Sequence, residues 1–154
     1  ESSIRVPCVI EDPRRDGGQR VDDLVALFDL GPTMLELAGV TPPAWMEAQS
    51  LVPYLAGNAG PKRNVVYAEL ADDMIQQHCP FMTMIRTGQW KLVHFLGSDE
   101  GQLFDLDTDP DEVTNLWDSA AHGDVRQRLI HDILDWRLRS AGRTQTFLTD
   151  EMAR

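Results

Sequence analysis

Between residues 81 and 139 the chain sets three short strand-like runs before one long amphipathic stretch, and that order leaves few folds open. Residues 81–87, 89–96 and 102–105 are rich in aromatic, β-branched and other apolar side chains. Gly88 and the segment GSDEG lie between them, short enough for hairpin turns. Strands joined so tightly pair antiparallel, so a meander is predicted. Residues 124–139 change period: Val125, Leu129, Ile133 and Trp136 recur at helical spacing, and Ile130 and Leu134 widen the stripe. Asp124 stands at the start as a cap, and arginines crowd the end, where they complement the helix dipole. The expectation is that this stripe packs on a sheet face containing Met84, Trp90 and Leu92, with Arg137 just past it on the surface.

The preceding half is less regular. Residues 4–10 (IRVPCVI) read as a strand, apolar on both faces after Arg5, with Pro7 marking an edge or a strand start. Residues 24–28 form a short apolar run of extended character. Asp29, Pro32 and Gly39 then supply the cap, first-turn and stop signals of a helix over residues 30–38. Ser50 is placed to cap a helical turn over residues 50–55, residues 65–70 read as a buried strand, and ADDMIQQHCP after them is irregular. Residues 140–154 carry little pattern and are expected to form a tail. With 154 residues, 42% of them hydrophobic, the chain can bury a real core. It opens on Glu1 rather than Met, directly into strand-like residues, and so reads as a piece of a longer protein.

The formal net charge of -11 repels phosphate backbones and anionic lipid, so neither nucleic acid nor a membrane surface is an expected partner. No run approaches the roughly 20 apolar residues that span a bilayer, so a soluble protein of cytoplasm or periplasm is expected. One stretch invites a metal reading: LFDLDTDPDEVTNLW, with Asp105, Asp107 and Asp109 at alternate positions. A calcium loop begun at Asp105 would need Gly at its sixth position and Glu at its twelfth, where this chain has Pro110 and Leu116. A turn with Pro110 at its second position fits better, and no metal ligand is assigned. Cys8 reads as a small core residue, and neither it nor Cys79 falls in a zinc or disulfide pattern. Of the histidines, His131 reads as surface and His94 as a packing residue within a strand. His78, beside Cys79 and Pro80 in a polar loop, is the candidate substrate contact, with a plain loop role as its alternative. No GxSxG or Gly-rich phosphate loop is present, and no catalytic residue is assigned.

Five stretches taken together resemble the C-terminal part of the sulfatase family, in the alkaline phosphatase-like superfamily. They are ESSIRVPCVI, LVALFDLGPTMLELAGVTPP, QSLVPYL, MIRTGQWKLV and LFDLDTDPDEVTNL, in the order the family shows them. Ala48 stands where a Gly is usual before the SL segment, and Phe104 where Tyr is common. The resemblance implies an α/β fold, the C-terminal part of an alkaline phosphatase-like sulfatase, ending in a small antiparallel sheet packed by a C-terminal helix. Residues 1–70 would end the large α/β domain, residues 71–139 would form the small sheet and helix, and residues 140–154 the tail. It implies sulfate-ester hydrolysis by a full-length enzyme using formylglycine and calcium, none of it held here: neither Cys8 nor Cys79 lies in a C/S-x-P/A-x-R motif. A small sulfate ester would be the partner, with homo-oligomer contacts a further expectation. The alternatives are a phosphonate monoester or phosphodiester hydrolase of the same superfamily, or a non-enzymatic structural or oligomerisation module.

Overall fold

The computed structural model describes residues 4–71 and 79–152. The chain divides into two compact units, one of Val65–Gly142 and one of the residues up to Asn64 with those from Arg143 onward. In the first unit, strands β1 (Val65–Ala71), β2 (Phe81–Thr87), β3 (Trp90–Phe95) and β4 (Gly101–Asp105) make one sheet in chain order, each antiparallel to the next. The predicted meander is present, with β1 added at its edge. Residues 65–70 are therefore no buried strand: β1 pairs with β2 alone, and its second half is exposed.

The register sets Tyr67, Ile85, Leu92 and Leu103 side by side across all four strands. Ile85, Leu92 and Leu103 are fully buried, and they form one cluster with Trp117 and with Leu129 of helix α3 (Gly123–Met152). Val125, Ile130 and Ile133 pack onto this cluster, while Trp136 lies flat on Tyr67 with ring centroids 4.3 Å apart. The predicted stripe thus covers the sheet, with two corrections. Leu134 is exposed, since it lies 100° round the helix from Ile133. Met84 pairs with Val93 and belongs to the opposite sheet face, because strand side chains alternate. The helix runs on past Arg139 through residues that carry no apolar stripe but few helix breakers.

In the second unit α1 (Leu30–Leu37) forms as predicted and is followed by α2 (Val52–Leu55). Gly39 closes α1 at φ +77, with its N–H donating to Glu36 O and the Val40 N–H to Leu35 O. Those two bonds are a Schellman motif, which needs the left-handed residue glycine supplies. Ser50 Oγ accepts from the Val52 N–H at 3.2 Å, at the start of α2. Residues 4–10 form no strand. Their backbone pairs with no strand among the described residues, and strand N–H and C=O groups hold only when a neighbour satisfies them. Val6, Val9 and Cys8 are exposed in consequence, so the core role expected of Cys8 is not found.

Candidate functional site

One residue pair beyond the buried row, the same sheet face turns polar. Glu69, Thr83, His94 and Gly101 are register partners across the four strands. Thr83 Oγ1 donates to Glu69 Oε1 at 3.3 Å, and Arg137 of α3 donates to Glu69 Oε2 at 2.8 Å. The Arg137 guanidinium also lies 5.3 Å above the Phe81 ring. A cavity of about 410 Å³ opens here, lined by Pro80, Phe81, Thr83, His94, Leu96 and Arg137. Arg137 lies on the surface as expected, its side chain about half exposed, and from there its bond to Glu69 ties the helix to the sheet. Gly101 ends the row because a Cβ there would overlap the Trp117 ring, whose indole N–H donates to Asp99 O at 2.9 Å.

The acidic stretch after β4 spends its side chains on its own backbone. Asp109 accepts from the Val113 and Thr114 amides at 3.1 and 2.8 Å, and Asp105 Oδ1 from the Asp107 amide at 3.2 Å. Asn115 Oδ1 accepts from the amides of Leu103 and Trp117, while its Nδ2 donates to Gly101 O, which clamps the turn to β4. Lys91 Nζ donates to both Glu112 oxygens at 2.8 Å, with both side chains largely buried. Burial is the largest single influence and raises the Glu112 carboxyl, but the hydrogen bonds and positive charges around it, those of Lys91 first among them, together hold its pKa below the ordinary value.

A similar clamp orders the second unit. Asp29, buried at 1% exposure, accepts from the Ala26 amide at 2.8 Å, the Gln49 amide at 2.9 Å and the forked guanidinium of Arg63. The predicted N-cap is therefore an ion-pair centre that ties three chain segments together. Thr33 Oγ1 donates to Asp29 O and accepts from the Leu51 amide at 2.8 Å.

His78 lies outside the described residues, and it remains a candidate by its place in the sequence next to Cys79. His94 leans on Trp117 with ring centroids 6.5 Å apart, as a packing residue would, yet it also lines the cavity. His131 is exposed, 3.9 Å from Asp135. His122 takes a bond with Ser119 Oγ at 2.9 Å, within one turn of chain. Cys79 Sγ donates to Phe81 O at 3.1 Å, and both cysteines are free thiols. Among the described residues no three His, Cys, Asp or Glu side chains converge as metal ligands. The polar row escaped sequence reasoning because Glu69, Thr83 and His94 become neighbours only through strand register, and Arg137 joins them only through the docking of α3.

This arrangement of sheet, covering helix and folded-back acidic turn is that of the C-terminal part of alkaline phosphatase-like enzymes. It overlays a 2-O GAG sulfatase with TM-score 0.70 and 26% identity, over 83% of this chain and 28% of that one. It overlays the phosphonate monoester hydrolase SpPMH from Silicibacter pomeroyi with TM-score 0.73 and 25% identity, over 84% of this chain and 28% of that one. The chain belongs to the family described as N-sulphoglucosamine sulphohydrolase, C-terminal, which matches residues 1–139. It is 37% identical to Arylsulfatase K of Xenopus laevis over 123 residues, 75% of this chain and 23% of that protein. The chain thus spans about a quarter of the length of the proteins it matches.

Proposed function

We propose that the protein carrying this chain hydrolyses a sulfate ester, and that residues 1–154 complete its fold and border its substrate cleft. The observation that supports this is the likeness to a sulfatase family across residues 1–139, with the motif residues in mutual contact. The residues before β1 would end the large α/β domain, and the sheet with α3 would be the small C-terminal part. His78, beside the cavity-lining Pro80 in sequence, would reach the substrate. Formylglycine and calcium, which the resemblance implies, do not fit the described residues. Asp105, Asp109 and Glu112 are held by amides or Lys91, and neither cysteine lies in the required motif. Both groups would belong to the polypeptide outside residues 1–154. A small sulfate ester is the partner, homo-oligomer contacts are compatible with it, and no described helix is long and apolar enough to cross a membrane.

Phosphonate monoester hydrolysis is the second reading, favoured by the overlay on SpPMH. Steady-state assays of the full-length protein on an aryl sulfate and on an aryl phosphonate monoester decide between them. The expected result is a larger kcat/KM on the sulfate, with no turnover of either by residues 1–154 alone. Preference for the phosphonate would reverse the assignment.

A further inference from the structure

We propose that Asp16 and Gly17 form a spontaneous modification site, where the Gly17 amide nitrogen closes on the Asp16 side chain and leaves an isoaspartate link in the backbone. Asp16 is the single aspartate of the chain that precedes a glycine, and no asparagine does. Both residues are exposed and lie in no helix or strand. The Gly17 N–H makes no backbone hydrogen bond among the described residues, although the nearby Arg15 amide does, to Asp12 O at 3.0 Å. Apart from its chain neighbours, no heavy atom lies within 4 Å of where a Gly17 Cβ would stand, so the backbone has room to turn.

The basic residues of the loop leave the Asp16 carboxyl unengaged. Arg14 forks onto Asp12 at 2.8 and 3.1 Å, Arg15 reaches the same carboxylate at 3.0 Å, and Arg20 is spent on Asp22 at 2.8 Å. Asp16 has no hydrogen bond or ion pair among the described residues. Six of the ten residues from Glu11 to Arg20 are charged, which keeps the loop in water, since burying charges is costly. The step balances without a co-reactant. The Gly17 nitrogen bonds to Asp16 Cγ in its carboxylic acid form, the Cγ–OH bond breaks, and the hydroxyl leaves as water with the amide proton. Water then adds to the cyclic imide. Opening at the main-chain carbonyl carbon leaves the backbone running through Cγ as isoaspartate, while opening at Cγ restores aspartate. Neighbouring groups on one chain gain from proximity in such a closure.

Storage of the full-length protein for several weeks in warm, mildly acidic buffer, followed by tryptic mapping with electron-transfer fragmentation, tests this. Isoaspartate should accumulate with time in the peptide of residues 16–20, released by cleavage after Arg15 and Arg20, and at no other aspartate to the same extent. Gly17→Ala, for which the loop has space, should slow its formation about fivefold, in keeping with the greater backbone freedom of glycine. Asp16→Glu, which would have to close a larger ring, should abolish it, and it keeps the test open if Gly17→Ala fails to fold by circular dichroism. No isoaspartate at Asp16 in the folded wild type, an unchanged rate in folded Gly17→Ala, or equal accumulation at the other aspartates would each overturn the site.

Discussion

Glu112 holds a backbone φ of +56, a left-handed conformation that costs a residue with a Cβ about 1–2 kcal/mol. Lys91 offsets that cost, since it gives two hydrogen bonds to the carboxylate in a largely buried setting. Glu112→Gln should therefore destabilise the chain by about 2–3 kcal/mol at neutral pH, the scale of hydrogen bonds to a charged group. The pH dependence has a definite sign. The folded carboxyl titrates below its ordinary value of 4.5, so the pair stabilises above that pH and is lost as pH falls through the folded value. Urea melts across pH 3–7 should show the two proteins far apart at neutral pH and converging in acid. A constant gap would mean that Lys91 and Glu112 do not form a charged pair. Both residues were legible as parts of motifs in the sequence, LV preceded by Lys91 and the turn containing Glu112; that they answer each other was not.

Each element's legibility followed from what it needs in order to exist. Helix α3 announced itself because its apolar residues meet one surface at one period, and Leu129 is buried at the centre of that contact. Leu129→Ala should cost about 2–5 kcal/mol, as emptied core positions do. Leu134→Ala, on the exposed side of the same helix, should stay within about 0.5 kcal/mol. Equal shifts of the two urea midpoints would show that the helix buries no preferred face. Residues 4–10 misled for the opposite reason: their apolar run encodes a wish for partners, and a strand's existence depends on a neighbour that local sequence does not name. Met84 misled through parity: it meets Val93, one face away from Leu92, which pairs with Ile85. A hairpin's register is set by its turn, and counting alternate residues through that turn does not recover it.

The chain has two tyrosines, and the two compact units hold one each. Tyr54 donates to Asp23 Oδ2 at 2.7 Å, and burial followed by that bond pushes its phenol up to about 12. Burial, then the nearby Asp132 carboxylate, raises Tyr67 as well. Both shifts favour the neutral phenol, so their stabilisation is full below the ordinary value of 10.0 and fades as pH rises beyond it. Phenolate absorbance should accordingly stay low at pH 10 while the chain is folded, and Tyr54→Phe should remove the step near 12. Full ionisation of either tyrosine at pH 10 would mean that its unit has opened. The sheet of the first unit carries one more consequence, a matter of time. Because β1 to β4 pair in chain order, its hairpins close over short loops, whereas Tyr67 must wait for Trp136 to arrive from the middle of α3, far along the chain. Zipping should thus precede docking: Leu103→Ala slows the refolding limb of a chevron, and Trp136→Ala mainly hastens the unfolding limb.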